Sequence, residues 1–268
     1  MIRINFKIFI VIFLTLLLTS CKVEEVISLE ETYVEYTVVQ AELHPDEKFP
    51  GVRFTKTLPL GVPFNIQEAE LKDITVYIKL NGIQVIPLHY SSEGLYKPLY
   101  DFYIHPGETY ELFAEKGDKY IYAYTKIPNY PEVSATHYNT NSFYASADVS
   151  TEPDIVYSAL WAINTGQLIK ADDFYVVTEP RSTPNQVINI RTSSIPEIYR
   201  ESQYDYLRAI QIFAFDKSFR EYFDSRTSAQ EINNPFIQGG GSVVWNVKGD
   251  KTIGMFIGVT AGNVLTIN

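Results

Sequence analysis

From Thr32 onward, apolar and polar positions alternate along much of the chain with a period of two, the spacing of a strand with one face buried. Tyr33 to Val39 is dense in β-branched and aromatic residues, and Val52 to Leu58 alternates cleanly, so both are predicted strands. Ile74 to Leu80 repeats the pattern and runs into Asn81-Gly82, a dipeptide whose tolerance of positive φ makes it a strong hairpin signal, before Ile83 to Ile86 returns. Tyr110 to Glu115, the Gly117-Asp118 turn and Tyr120 to Tyr124 form a second predicted hairpin. Short strands divided by Gly, Pro and Asn turns point to an antiparallel sandwich.

Ile127-Pro128-Asn129-Tyr130-Pro131 is the expected boundary, because two close prolines stiffen the chain and interrupt ladder pairing. Beyond it the pattern predicts a polar stretch over 136–146 and strands at Ile155 to Ile163 and Phe174 to Thr178. An apolar stretch then runs from Tyr206 to Phe215. The period changes at Asp216: Phe215, Phe219, Tyr222 and Phe223 fall at helical spacing, and Asp216 can cap the first turn. Val243 to Val247 and Ile253 to Val259 read as a final hairpin. The fold expected is mainly β, with a β-sandwich domain over 32–130 and a second β-rich domain over 131–268 carrying one short helix near 216–226.

Ahead of this lies a different pattern. Arg3 and Lys7 precede the apolar run Ile8 to Leu18, which suits a signal-peptide core and falls short of a bilayer span of about 20 residues. The run ends in Leu18-Thr19-Ser20-Cys21, and Cys21 is the single cysteine of the chain. A lone thiol makes no internal disulfide, and small residues just before it resemble a bacterial lipobox, in which the thiol takes a diacylglyceryl group and cleavage makes the cysteine the first mature residue. The less favoured reading is an ordinary secretory leader with a leftover thiol. The expected division is a lipoprotein signal peptide over 1–20, lipid attachment at Cys21 and an acidic tether over 21–31. Glu24 and Glu25 in that tether resemble a surface-export signal, and serve equally as a solvated spacer kept extended by its charge.

The net charge of −10, without clustered Lys or Arg, disfavours nucleic acid and anionic lipid surfaces as partners, so the membrane link must be covalent. Candidate chemistry is sparse. His44, His89, His105 and His137 are scattered singly with no partner at i+3 or i+4, so no metal site is expected; His89 and His105 read as structural or solvent-facing unless the fold brings them together. Asp172-Asp173, Glu24-Glu25 and Glu30-Glu31 lack a calcium-loop context, and Asp172-Asp173 reads as a solvated turn. Gly239-Gly240-Gly241 lacks the lysine of a phosphate loop, and Ser242 lacks the strand-to-helix setting of a nucleophile elbow. No catalytic residue and no cofactor are expected. Aromatic content is high, with 20 Tyr and 16 Phe, a composition that suits both sheet packing and binding surfaces. For Tyr120, Tyr122 and Tyr124, on one face of one strand, cross-strand packing is the favoured reading.

An ordered set of motifs resembles the Bacteroidota outer-membrane lipoproteins grouped as domain of unknown function 4249. The set comprises Cys21, Val38 to Leu43, Thr55 to Leu60, Leu71 to Gly82, Gly94-Leu95-Tyr96, Pro106 to Leu112, Ala123 to Pro128, Asn234-Pro235-Phe236 and Gly254 to Gly258. The resemblance implies an immunoglobulin-like or prealbumin-like sandwich for the N-terminal domain, with the segment around Leu71 to Pro128 similar to small modules of prealbumin or carboxypeptidase-regulatory type, and an acylated, palmitate-bearing lipoprotein. It further implies a location on the outer membrane, possible exposure at the cell surface, and neighbouring TonB-dependent transporters as partners. Two functions follow as expectations: a non-catalytic binding or transport-accessory protein, or a structural or adhesive surface component; an enzyme ranks third.

The leader chemistry is directly testable. Intact-mass analysis of the mature protein should show residues 1–20 removed and acyl chains on Cys21, and Cys21→Ser should leave the chain unacylated and released from membranes. An unmodified thiol on the mature chain would contradict the lipobox reading.

Overall fold

The computed structural model describes residues 33–59, 61–163, 177–201, 205, 208–230 and 243–267. The leader, Cys21, the acidic tether, Asp172-Asp173, residues 174–176, Asn234 to Phe236 and Gly239 to Ser242 lie outside the described residues.

The strands are β1 (Thr37–Leu43), β2 (Val52–Lys56), β3 (Thr75–Leu80), β4 (Gln84–Ser92), β5 (Leu95–Pro98), β6 (Thr109–Lys116) and β7 (Lys119–Lys126). They continue with β8 (Val133–Asn139), β9 (Tyr144–Ser150), β10 (Ile155–Ile163), β11 (Val187–Arg191), β12 (Arg208–Asp216), β13 (Lys248–Gly249) and β14 (Thr252–Thr266). Two α-helices are described, α1 (Ile66–Ala69) and α2 (Ser218–Gln230), with a 3₁₀ turn at Glu197–Tyr199. The fold is mainly β, as the alternation predicts. No described helix is long and apolar enough to cross a membrane, which says nothing of strands.

A large curled sheet runs in the order β10-β12-β14-β1-β2-β5-β4-β3-β6-β7-β13, and a smaller one in the order β11-β9-β8. The first hairpin turns at Asn81 and Gly82, both at positive φ. Inward-facing residues of β1 to β7 and β14, among them Val39, Phe54, Ile78, Tyr96, Leu112 and Phe256, fill the first core. A second core lies between the small sheet and one face of β10 and β12, where Ala145, Ala147 and Val149 meet Tyr157, Trp161, Ile210 and Ile212. The opposite face of β10 and β12 carries Val156 and Phe215 against Phe219 and Phe223 of α2, making a third. The large sheet and the first core both extend past residues 127–131, since Val247 and Phe256 belong to that core and β14 pairs with β1 as far as Gly258 and with β12 from Val259.

Four features depart from the sequence expectation. The polar stretch over 136–146 is strand for much of its length, in the β8–β9 hairpin. Its inward face is built of small Ala145 and Ala147, so the alternation carries little hydropathy contrast. The final hairpin is not formed: Val243 to Val247 pairs with no strand, β13 pairs with β7, and β14 pairs parallel to β1. The reason is local, because the Asn246 amide takes both ladder groups of Phe256, donating Nδ2–H to its carbonyl at 2.6 Å and accepting its N–H at 2.9 Å. The β1–β14 pair also breaks the all-antiparallel expectation; such a pair needs a long crossover, here the whole chain between them. Lastly, α1 adds a second helix, capped by the Asn65 side chain on the Gln67 N–H at 3.0 Å, whose single turn is too short to show a period.

Helix α2 begins close to where Asp216 predicts. Asp216 is buried, accepts from the Ser218 N–H at 3.0 Å and Oγ at 2.7 Å, and with its other oxygen accepts from the Lys126 N–H at 3.1 Å. One carboxylate therefore caps the helix and holds the end of β7.

The parallel pair rests on Gly254, whose φ is +132° and where an added Cβ would meet the Val39 carbonyl oxygen at 1.9 Å. Gly254→Ala should cost more than about 3 kcal/mol, since backbone clash adds to conformational strain. Gly117→Ala, at φ +63° in open space, should cost only about 1–2 kcal/mol. Urea midpoints of the two variants check the difference.

Candidate functional site

The β3–β4 hairpin and the segment from Pro98 to His105 face each other across an open groove of about 570 Å³. Alternation over Asp101 to His105 sets the two sides of that part of the segment. Phe102 stacks on Phe49 with centroids 5.0 Å apart, and Ile104 is fully buried. Their backbone is held by the Phe49 N–H on the Phe102 carbonyl at 2.9 Å, the Asp46 N–H on the Ile104 carbonyl at 2.8 Å and the Ile104 N–H on the Glu47 carbonyl at 2.9 Å. With half-buried Phe102 and buried Ile104 facing inward, Tyr103 between them is left 53% exposed; ahead of them, in the bend after β5, Leu99 is 74% exposed and Tyr100 85%. Across the groove Val85 is 55% exposed, and Ile83 at the hairpin tip 85%.

Polar groups fix the rim. Lys48 donates to Asp101 at 2.8 Å, which holds the Asp101 carboxyl below its ordinary value and the Lys48 ammonium above its own. Glu108 accepts from the His105 N–H at 3.0 Å and from the Tyr110 hydroxyl at 2.6 Å. Burial, then the Glu108 carboxylate, pushes the Tyr110 hydroxyl far above its ordinary value, so it remains a neutral donor beneath the groove.

His89 and His105, separate in sequence, both line this groove. The other two histidines do not join them. His137 pairs with Asp148 at 3.1 Å on the small sheet, where Asn189 and then His137 hold the Asp148 carboxyl low. His44 pairs with Glu42 at 3.2 Å at the end of β1. Among the described residues no group of three or more His, Cys, Asp or Glu is placed to hold a metal ion. Of the three tyrosines on one face of β7, Tyr122 shows the expected cross-strand packing, donating to Glu111 at 3.2 Å and packing beside Phe113, which stacks on Tyr77 at 5.0 Å, whereas Tyr120 and Tyr124 are exposed, at 71% and 41%.

A family model described as "Domain of unknown function (DUF4249)" matches residues 23–239. The chain belongs to that family. No curated protein matches this DUF4249 chain. Among solved structures, a chain from a cytokine receptor complex is similar at 10% identity over 68% of this chain and 86% of that one, with a TM-score of 0.25. A mutant of Salmonella alpha-2-macroglobulin is similar at 10% identity over 85% of this chain and 15% of that one, with a TM-score of 0.22. Scores so low carry no argument about this DUF4249 protein.

Sequence reasoning missed Leu99, Tyr100 and Tyr103. The available signal was their setting: the run Leu99-Tyr100-Asp101-Phe102-Tyr103 between Pro98 and Pro106 holds more large apolar side chains than one buried face can absorb.

The His44–Glu42 pair at the end of β1, with Glu47 also acting on the imidazole, sets a pH dependence. The hydrogen bond to Glu42 raises His44 above its ordinary 6.5 and lowers Glu42 below its ordinary 4.5. The imidazolium contribution to stability is complete below pH 6.5 and lost as pH rises through the raised value; the carboxylate contribution is complete above pH 4.5 and lost as pH falls through the lowered one. NMR titration should place the His44 midpoint above 6.5, and Glu42→Gln should bring it down.

Proposed function

We propose that this DUF4249 protein is a lipid-anchored outer-membrane lipoprotein of the Bacteroidota type. In this reading it works by binding another envelope protein, a TonB-dependent nutrient transporter, and catalyses no reaction of its own. The observation that carries the proposal is the groove rim of Leu99, Tyr100, Tyr103 and Val85: large apolar and aromatic side chains exposed to solvent, with Tyr103 set between Phe102 and Ile104, whose backbone groups are bonded to Asp46, Glu47 and Phe49. Contiguous exposed surface of this kind marks interaction sites, and aromatic anchors in a pre-formed setting concentrate binding energy at protein interfaces.

The leader supports the location. Acylation at Cys21 would confine the protein to the membrane plane, and the spacer over 21–31 would reach at most about 40 Å from it. A partner in the same plane then meets the groove at high effective concentration, so a modest interface is well occupied.

The test is the double variant Leu99→Ser/Tyr100→Ser. Because both side chains are exposed, its stability should stay within about 0.5 kcal/mol of the parent. Crosslinking in cells to the outer-membrane partner should fall at least tenfold, and uptake of one nutrient should be impaired as in the gene deletion. Undiminished crosslinking in the double variant, or substrate turnover by the purified protein that is lost on mutating a defined site, would overturn the proposal.

A further inference from the structure

The outward face of the parallel pair floors a second cleft of about 580 Å³, which shares no lining residue with the groove. Strand register builds its floor: Val38 lies opposite Ile253 and Gln40 opposite Met255, and on the other side of β1 Gln40 faces Arg53 of β2. Tyr222 of α2 and Trp245, with rings 5.4 Å apart, also line it. The result is an aliphatic and thioether floor with aromatic rings alongside and two polar side chains in one cross-strand row. Its volume and its mix of apolar lining with few polar groups are those of a small-molecule site.

Those polar groups hold unspent donors. Arg53 directs Nη1 to the Glu93 backbone carbonyl, with the Glu93 carboxylate 3.8 Å away. Its Nε and Nη2, and the Gln40 amide, make no hydrogen bond among the described residues. Glu42, also in the lining, is already engaged by His44.

We infer that this cleft binds a small amphipathic monocarboxylate. The planar guanidinium fork matches a carboxylate in a way an ammonium does not, the adjacent Gln40 amide adds a donor, and the apolar body lies on Ile253 and Met255 beside Trp245. A phosphate is disfavoured by the single cation, the nearby Glu42 and the net charge of −10. A sugar would leave most of its hydroxyls facing the aliphatic floor without partners. The same chemistry is offered by a fatty acid and by the free C-terminus of a short apolar peptide. The inference stands apart from the docking reading, since Leu99→Ser/Tyr100→Ser leaves this cleft intact.

Tryptophan fluorescence of the mature chain reads it directly. The only other tryptophan, Trp161, is buried with its Nε1–H on the Ser193 carbonyl at 2.8 Å, so Trp245 is the reporter. Decanoate and tri-leucine are titrated against decanamide and tri-leucine amide. At least one carboxylate should give a saturable change that is absent in Trp245→Phe, and its amide should bind at least about tenfold more weakly, as loss of a charge-assisted hydrogen bond implies. Stronger binding of decanoate identifies an acyl source and stronger binding of tri-leucine a peptide source. Arg53→Gln should weaken the bound carboxylate by a similar factor. Gln40→Trp, at an exposed position, should fill the cleft and abolish binding with an unchanged circular dichroism spectrum, a test that stands if Arg53→Gln fails to fold. No saturable response to either carboxylate, equal binding of acid and amide, or full binding by folded Gln40→Trp would overturn the inference.

Discussion

Everything in the fold depends on the double pairing of β14. Its first half, Thr252 to Gly258, lies parallel to β1 and helps enclose the first core through Phe256; its second half, from Val259, lies antiparallel to β12 and carries Leu265 against the second. A single extended strand therefore transmits geometry between two cores that share no buried residue. The close approach of Gly254 to Val39 is what lets the parallel half sit at bonding distance. Without it the two cores would be joined mainly by side-chain pins.

Those pins are few, and mostly buried. The Gly258 N–H donates to Thr125 Oγ1 at 2.8 Å and Thr260 Oγ1 donates to the Pro128 carbonyl at 2.6 Å, tying β14 to the end of β7 and the segment after it. Asp216 holds the Lys126 N–H from the other half of the chain. Each satisfies a polar group that burial would otherwise leave unpaired at a cost of about 1–3 kcal/mol, so the junction is specified by hydrogen bonding as much as by apolar area. The rigid junction also fixes the cleft on the outer face of the β1–β14 pair, with Trp245 beside it.

The aromatic residues divide according to what their strands can bury. Phe54, Tyr96, Tyr110 and Phe256 are enclosed, and Tyr96 still finds partners, donating to the Leu71 carbonyl at 3.0 Å and accepting from the Ile74 N–H at 3.1 Å. Tyr77, Phe113 and Tyr122 form a half-buried row across three strands. Leu99, Tyr100 and Tyr103 belong to neither group: Tyr103 faces out between Phe102 and Ile104, whose backbone is bonded to 46–49, and Leu99 and Tyr100 lie exposed in the bend after β5. Composition counts all these side chains alike; only their placement separates packing from a surface free to bind.

Local chemistry was sufficient for what lies within one element or one turn. The strands β2, β3, β6, β7 and β10, the Asn81-Gly82 hairpin and the start of α2 at Asp216 were legible because period and capping act over a few residues. Family membership was legible for a related reason, as an ordered series of such local motifs along the chain. Partner choice was not. A period of two assigns faces but leaves open which strand lies alongside, so the parallel β1–β14 pair, the capture of Phe256 by Asn246 and the demotion of the final hairpin were decided by the packed structure. The same holds for both candidate sites. His89 and His105 line one groove, and Arg53, Gln40 and Met255 share one cross-strand row, only through registers between segments far apart in the chain, where the free energy of the assembled core sets the pairing.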